Sequence, residues 1–184
     1  LAPTTFHFSG KASPSNVNSS TGILSDIYYL LAHEDSFVFY NIINYLNVVG
    51  TSWNTQVFLQ RLNDGKAIVE RMNRVQSKSS MKNPFGQFAI KKEAAGKIRV
   101  FALVDSITQS VMKPLHLGLF KILRSLPNDG TFDQDASVTR CSVKAQEAGK
   151  AYSFDLSAAT DRLPVSLTGS IIESLFGISG ISES

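Results

Sequence analysis

Two stretches of this sequence carry residues that could act on phosphates. The first is Lys91-Lys92-Glu93-Ala94-Ala95-Gly96-Lys97-Ile98-Arg99-Val100. Alternate side chains of a strand share a face, so Lys97 and Arg99 project together while Ile98 and Val100 point into a core. Lys91 and Lys92, across a short turn, add more positive charge. A guanidinium fork beside ammonium groups suits a triphosphate. On pattern alone, a solvated basic hairpin is the commoner meaning of such a stretch.

The second stretch is Phe154-Asp155-Leu156-Ser157-Ala158-Ala159-Thr160-Asp161-Arg162-Leu163-Pro164. A carboxylate at the end of a strand, followed by a turn into a helix, can hold an oxygen-ligated divalent metal facing solvent and substrate. Asp155 fits that place. Asp161 falls near a helix N-terminus, where the dipole keeps it ionised and able to accept a hydrogen bond from a hydroxyl. The bare spacing of the two aspartates is weak, because an aspartate at a helix start is more often only a cap.

The elements that must position these residues are an α+β set. Ser9 to Gly22 is rich in Ser, Asn, Pro and Gly and reads as a flexible lead. Apolar residues then recur at helical spacing from Ile23 to His33 and from Phe37 to Asn47, with Asp35 or Ser36 as a cap for the second helix. A third helix, Thr55 to Leu62, is expected to stop at the turn Asn63-Asp64-Gly65. Period two takes over at Gln87–Lys91 and Lys97–Leu103, a hairpin turning at Glu93–Gly96. Asp105 or Ser106 opens a helix with an Ile107, Val111, Leu115, Leu119, Leu123 stripe, which Pro114 should kink or divide and which ends by Pro127. Asp129, Asp133 and Asp135 lack calcium-loop spacing and read as solvated loop carboxylates. A strand from Ala151 to Asp155, a tight passage to Pro164 and a helix from Val165 to Phe176, ended by Gly177, complete the chain.

Composition sets the limits. A 184-residue chain, 43% hydrophobic and 18% charged, can bury a core and falls within the size of one domain, which argues against disorder throughout. A net charge of +3 permits an anionic partner without requiring one. The single cysteine, Cys141, excludes an intrachain disulfide, and His7, His33 and His116 stand in no relation that would activate it, so it reads as structural. Leu1 to Ser20 shows neither a secretory run nor an arginine-rich import address. Lys113, Lys121 and Arg124 interrupt the best membrane-spanning candidate, so no membrane is expected.

Three blocks in order, KEAAGKIRVFA, DGTFDQ and FDLSAATDRLP, are similar to motif F, an intervening family segment and motif A of mitovirus RNA-dependent RNA polymerases. The resemblance runs from Phe85 to Phe176. It implies a partial right hand: a flexible lead at 1–22, a fingers-like region at 23–142 and the start of a palm at 143–184. The implied reaction is nucleotidyl transfer from NTPs on an RNA template, driven by magnesium, in mitochondria. Lys97 and Arg99 match the cations that contact the incoming triphosphate, with Lys91 and Lys92 as looser matches. Asp155 matches the first metal-binding, catalytic aspartate. Asp161 matches the aspartate that helps recognise the ribose hydroxyl. The residues of DGTFDQ receive no role.

Neither Gly-Asp-Asp nor a motif B occurs in these residues, so the chain alone is expected to be inactive. Three readings follow: a truncated polymerase, such as a relic in a plant mitochondrial genome; a non-catalytic module that binds RNA or nucleotides through the hairpin; or the front of a polymerase completed elsewhere. Self-association through an exposed palm surface is a further expectation.

Overall fold

Apolar residues three and four apart make the first half of the chain helical. The computed structural model describes residues 14, 19–49, 55–72 and 85–182. In order they form α1 (Ser19–Ala32), α2 (Phe37–Val49), α3 (Thr55–Met72), β1 (Gly86–Lys92), β2 (Ile98–Val104), α4 (Ser106–Ser125), α5 (Gln134–Ala148), α6 (Ala159–Arg162) and α7 (Val165–Phe176). The result is a helix-rich α+β chain with a two-stranded antiparallel sheet. Of the lead expected at 1–22, residues 1–13 and 15–18 lie outside the described part, and α1 already begins at Ser19. Among the described residues no helix is long and apolar enough to cross a membrane.

One core joins the first four helices. Ile27 and Leu30 of α1, Tyr45 and Leu46 of α2, Phe58 and Leu62 of α3, and Ile107 and Val111 of α4 are buried together. Fully burying such an aliphatic or Phe side chain contributes about 1.5–3 kcal/mol. Ser36 caps α2, its Oγ accepting from Phe39 N at 3.2 Å. The Asn63-Asp64-Gly65 turn does not form, because α3 runs on to Met72. Gly65 is instead a close-approach position, where an added Cβ would lie 2.8 Å from Ile27 Cδ1. Asp64 stays helical and accepts from Gln60 Nε2 at 2.9 Å.

The hairpin forms as expected, with Gly96 at φ +73° in its turn. Its apolar face does not enter the core: Ile98 and Val100 are 63% and 61% exposed. Cross-strand pairing holds the two strands together locally, and among the described residues nothing packs over that face closely enough to bury it. Asp105 then caps α4, accepting from Ile107 N and Thr108 N at 2.9 and 2.8 Å. Pro114 lies inside a single 20-residue helix and does not divide it. The buried stripe of Ile107, Val111 and Leu115 supports the helix across the missing donor.

Two expectations fail further on. Asp135 lies in α5 and Asp133 precedes it, both exposed; periodicity missed this helix because none of its residues is buried. Asp133 is its N-cap, accepting from Ala136 N at 2.8 Å. Ala151–Leu156 is not a strand, since no ladder partner lies beside it among the described residues. α7 forms as read, although Pro164 is its N-cap and not its first residue. Its end is fastened by Glu173, whose Oε1 accepts from Gly180 N and Ser182 Oγ, both at 2.8 Å, and Ile181 inserts into the helical core.

Asp105 is 2% exposed; burial, then the neighbouring Asp26, pushes its carboxyl above its usual value, against hydrogen bonds from Thr108 and Ile107 that lower it. The folded chain therefore holds this proton more tightly than the unfolded chain. The associated stability is complete below the unfolded value of 3.8 and is lost as pH rises through the folded one. Asp105→Asn retains an acceptor for the two amides. The variant is expected to gain on the parent as pH rises from about 4 to about 7, read as a changing difference between urea midpoints. A difference constant across that range would contradict the assignment.

Candidate nucleotide-binding site

Pairing register decides which cations act together. Lys91 lies directly opposite Arg99, and Lys92 opposite Ile98. Directly opposed residues share a face, so Lys91 and Arg99 stand side by side and Lys92 projects from the other side with Ile98. Lys97 is extended, at φ −71° and ψ 138°, and continues the alternation onto the face of Arg99. The turn is closed by a hydrogen bond from Glu93 N to Lys97 O at 2.8 Å. Three of the four expected cations thus share one exposed face, and Lys92 does not.

The same face holds a residue that the sequence reading passed over. Glu93 Oε2 lies 2.9 Å from Arg99 Nε, in a partly exposed ion pair. Such a pair is worth about 0–1 kcal/mol, so it orients Arg99 without committing it. No local signal marks it, because Glu93 reaches Arg99 only through the register of the two strands.

Asp155 sits in the extended run Ala151–Leu156, whose side chains are exposed on both sides; Phe154 is 88% exposed. The chain then reverses at Ala158, which takes a left-handed φ of +51°. That conformation costs a residue with a Cβ about 1 kcal/mol, and strain of this kind concentrates at functional turns. Asp161 is the third residue of α6, exposed, with its backbone N donating to Ala158 O at 3.1 Å. Four residues align too few peptide dipoles for the helix-end effect expected of it. Among the described residues no ion pair or hydrogen bond links the hairpin cations to Asp155 or Asp161. Cys141 is a free, exposed thiol, while His33 Nδ1 donates to Tyr29 O at 2.8 Å and the His116 ring lies tilted against Phe120; His7 lies outside the described residues.

Asp155 offers the oxygen chemistry that magnesium takes. Among the described residues, however, no three His, Cys, Asp or Glu side chains gather where they could hold a metal ion.

The sequence matches the mitovirus RNA-dependent RNA polymerase family over residues 2–184. The chain belongs to that family. It is 39% identical over 92 residues to the RNA-directed RNA polymerase of Cryphonectria parasitica mitovirus 1, a match covering 50% of this chain and 11% of that protein. It is also 43% identical over 56 residues to an uncharacterised mitochondrial protein of Arabidopsis thaliana, covering 30% of this chain and 22% of that protein. No solved structure matches.

In this mitovirus-polymerase chain, Glu93 opposes any anion that approaches Arg99. Glu93→Gln is expected to change stability by less than about 0.5 kcal/mol. It should raise the affinity for tripolyphosphate severalfold in calorimetry at low salt, an effect that shrinks as salt is added. Equal affinities for parent and variant would show that Arg99 takes no part in anion binding.

Proposed function

We propose that this chain is the nucleotide-gripping part of an RNA-dependent RNA polymerase. Residues 23–142 would form a fingers-like region and 143–184 the beginning of a palm. The observation that carries this reading is the cross-strand pairing of Lys91 with Arg99 on an exposed face. Lys97 continues that face, and three adjacent cations can neutralise the triphosphate of an incoming NTP. Lys92 lies on the opposite face and would meet the phosphates only if the hairpin were wrapped. Asp155 would supply an oxygen ligand to magnesium, the ion that activates the attacking hydroxyl and stabilises the leaving phosphate in such enzymes. Asp161 would accept a hydrogen bond from the ribose 2′ hydroxyl and favour NTPs over dNTPs.

The 184 residues by themselves are proposed to lack nucleotidyl transfer, since a single aspartate cannot assemble a two-metal site. A mitochondrial location is the natural proposal for a member of this family related to a plant mitochondrial protein. A second reading, a non-catalytic RNA-binding module, is favoured by one feature: the hairpin forms by local pairing and presents its cations without help from the Asp155 segment. Val165, Leu167, Ile171 and Leu175 remain exposed along α7 and would support self-association, whereas Ile172 packs on the core.

Primer extension separates these readings. The chain alone should give no template-dependent incorporation with magnesium and NTPs. In a polymerase completed with a palm that carries the remaining carboxylates, Asp155→Ala should abolish synthesis. Asp161→Ala should leave synthesis measurable and narrow the preference for NTPs over dNTPs. Equal loss with both sugars would remove the ribose role from Asp161. For the module reading, Lys97→Ala combined with Arg99→Ala should weaken binding of single-stranded RNA and reduce its log–log salt slope by about 1.4.

A further inference from the structure

The DGTFDQ segment has no part in the site above, yet it builds a defined surface with α4. Along its 20 residues α4 carries Lys113, Lys121 and Arg124 and no carboxylate. On its solvent side the rings form a continuous row. His116 lies 4.1 Å from Phe120, and Phe120 meets Phe132 of the DGTFDQ turn edge-on at 5.4 Å. The Arg124 guanidinium sits 4.5 Å from the centre of the Phe132 ring. Phe120 and Phe132 each leave 37% of their surface in solvent. Next to the row is an open cleft of about 280 Å³ whose lining includes Arg124, Phe132 and Arg140.

Two carboxylates also line this cleft, each with one oxygen bonded to a backbone amide close in sequence. Asp129 Oδ1 accepts from Thr131 N at 2.9 Å, and its Oδ2 is out of contact with solvent. Asp133 Oδ1 accepts from Ala136 N at 2.8 Å as the cap of α5. Arg124, Arg140 and Asp133 are all exposed, and α4 itself contributes cations alone. Aromatic rings in a row with cations between them are what binds single-stranded nucleic acid without sequence preference: the bases stack on the rings and the phosphates meet the cations. Protein interfaces also combine aromatic rings with arginine, but a helix that contributes three cations and no carboxylate beside the rings favours a polyanion.

We infer that the outer face of α4 and the DGTFDQ turn form a stacking platform for single-stranded RNA, separate from the hairpin. His116, Phe120 and Phe132 receive bases, while Lys121, Arg124 and Arg140 receive phosphates. The inference rests on the polymerase reading for the identity of the strand, but not on the roles given to the hairpin.

The test is fluorescence anisotropy of the full chain with labelled oligouridine of roughly 15 nucleotides, within the span such sites cover. Salt is varied from about 50 to about 200 mM. Phe120→Leu with Phe132→Leu keeps the apolar bulk and removes the stacking faces; it should weaken binding about tenfold or more at every salt, with the slope unchanged. Arg124→Gln with Arg140→Gln should lower the slope by about 1.4. Parental affinity in the ring variant overturns the platform, and a loss confined to Lys97→Ala with Arg99→Ala then leaves the hairpin role standing. The reverse result supports the platform and removes the hairpin from RNA binding. Absence of RNA binding by the parent overturns the platform, as does a ring variant that loses self-association while keeping RNA. If the ring variant melts below the parent, 4-thiouridine cross-linking of the parent decides: adducts at Phe120, Phe132 or His116 support the platform, and adducts confined to residues 86–104 overturn it.

Discussion

A hydrogen bond from Ser106 N to Asp26 Oδ2, 2.9 Å long and joining positions 80 residues apart, fixes the start of α4 against α1. Asp26 comes from α1 and Ser106 begins α4, so the bond ties the N-terminal helices to the element that follows the hairpin. The first amides of a helix have no partner within it, and here three are satisfied by two buried carboxylates: Ser106 by Asp26, and Ile107 and Thr108 by Asp105. The backbone N of Asp105 also donates to Phe85 O at 3.1 Å, which closes the base of the hairpin on the same node. The node is costly. Asp26 and Asp105 are each 2% exposed, and Asp26 Oδ1 and Ser106 Oγ have no partner among the described residues. Two carboxyl groups out of water beside each other persist because the positive end of a long helix and its unpaired donors stabilise them. Removing either carboxylate would strand buried N–H groups, so the node is more expensive to break than to keep.

The direction of the hairpin and the placement of α4 depend on that node. Beyond it the hairpin is held by its own ladder, with both faces largely in solvent. A rigid root with a locally paired, exposed arm is a sound arrangement for cations that must meet a mobile, charged ligand, since local pairing fixes Lys91 beside Arg99 without burying either. The Asp155 segment is built differently. It has no ladder among the described residues, reverses through a left-handed alanine and is anchored only downstream, where Glu173 holds the turn that inserts Ile181 into the core. On the polymerase reading, the hairpin carries its geometry within itself, and Asp155 would take its final geometry from strands paired alongside it.

Much could be read from the sequence alone, wherever the determinant is local. The hairpin, its glycine turn, the Asp105 cap and the bounds of α7 follow from period-two alternation, a position that favours positive φ, and side chains that bond amides two or three residues away. Family membership was legible for a similar reason, since short blocks keep their wording where chemistry restricts them, and the match over residues 2–184 agrees with it. What needed the tertiary structure was every feature settled by a partner distant in sequence. Gly65 looks like a helix stop, but packing against Ile27 makes it part of α3. Ile98 and Val100 look like core, but a sheet face is buried only if something covers it. Ala151–Asp155 alternates like a strand, but a strand exists only with a neighbour to bond. Register, which places Lys91 with Arg99 and sends Lys92 to the other face, is likewise a relation between strands, and no single stretch of sequence contains it.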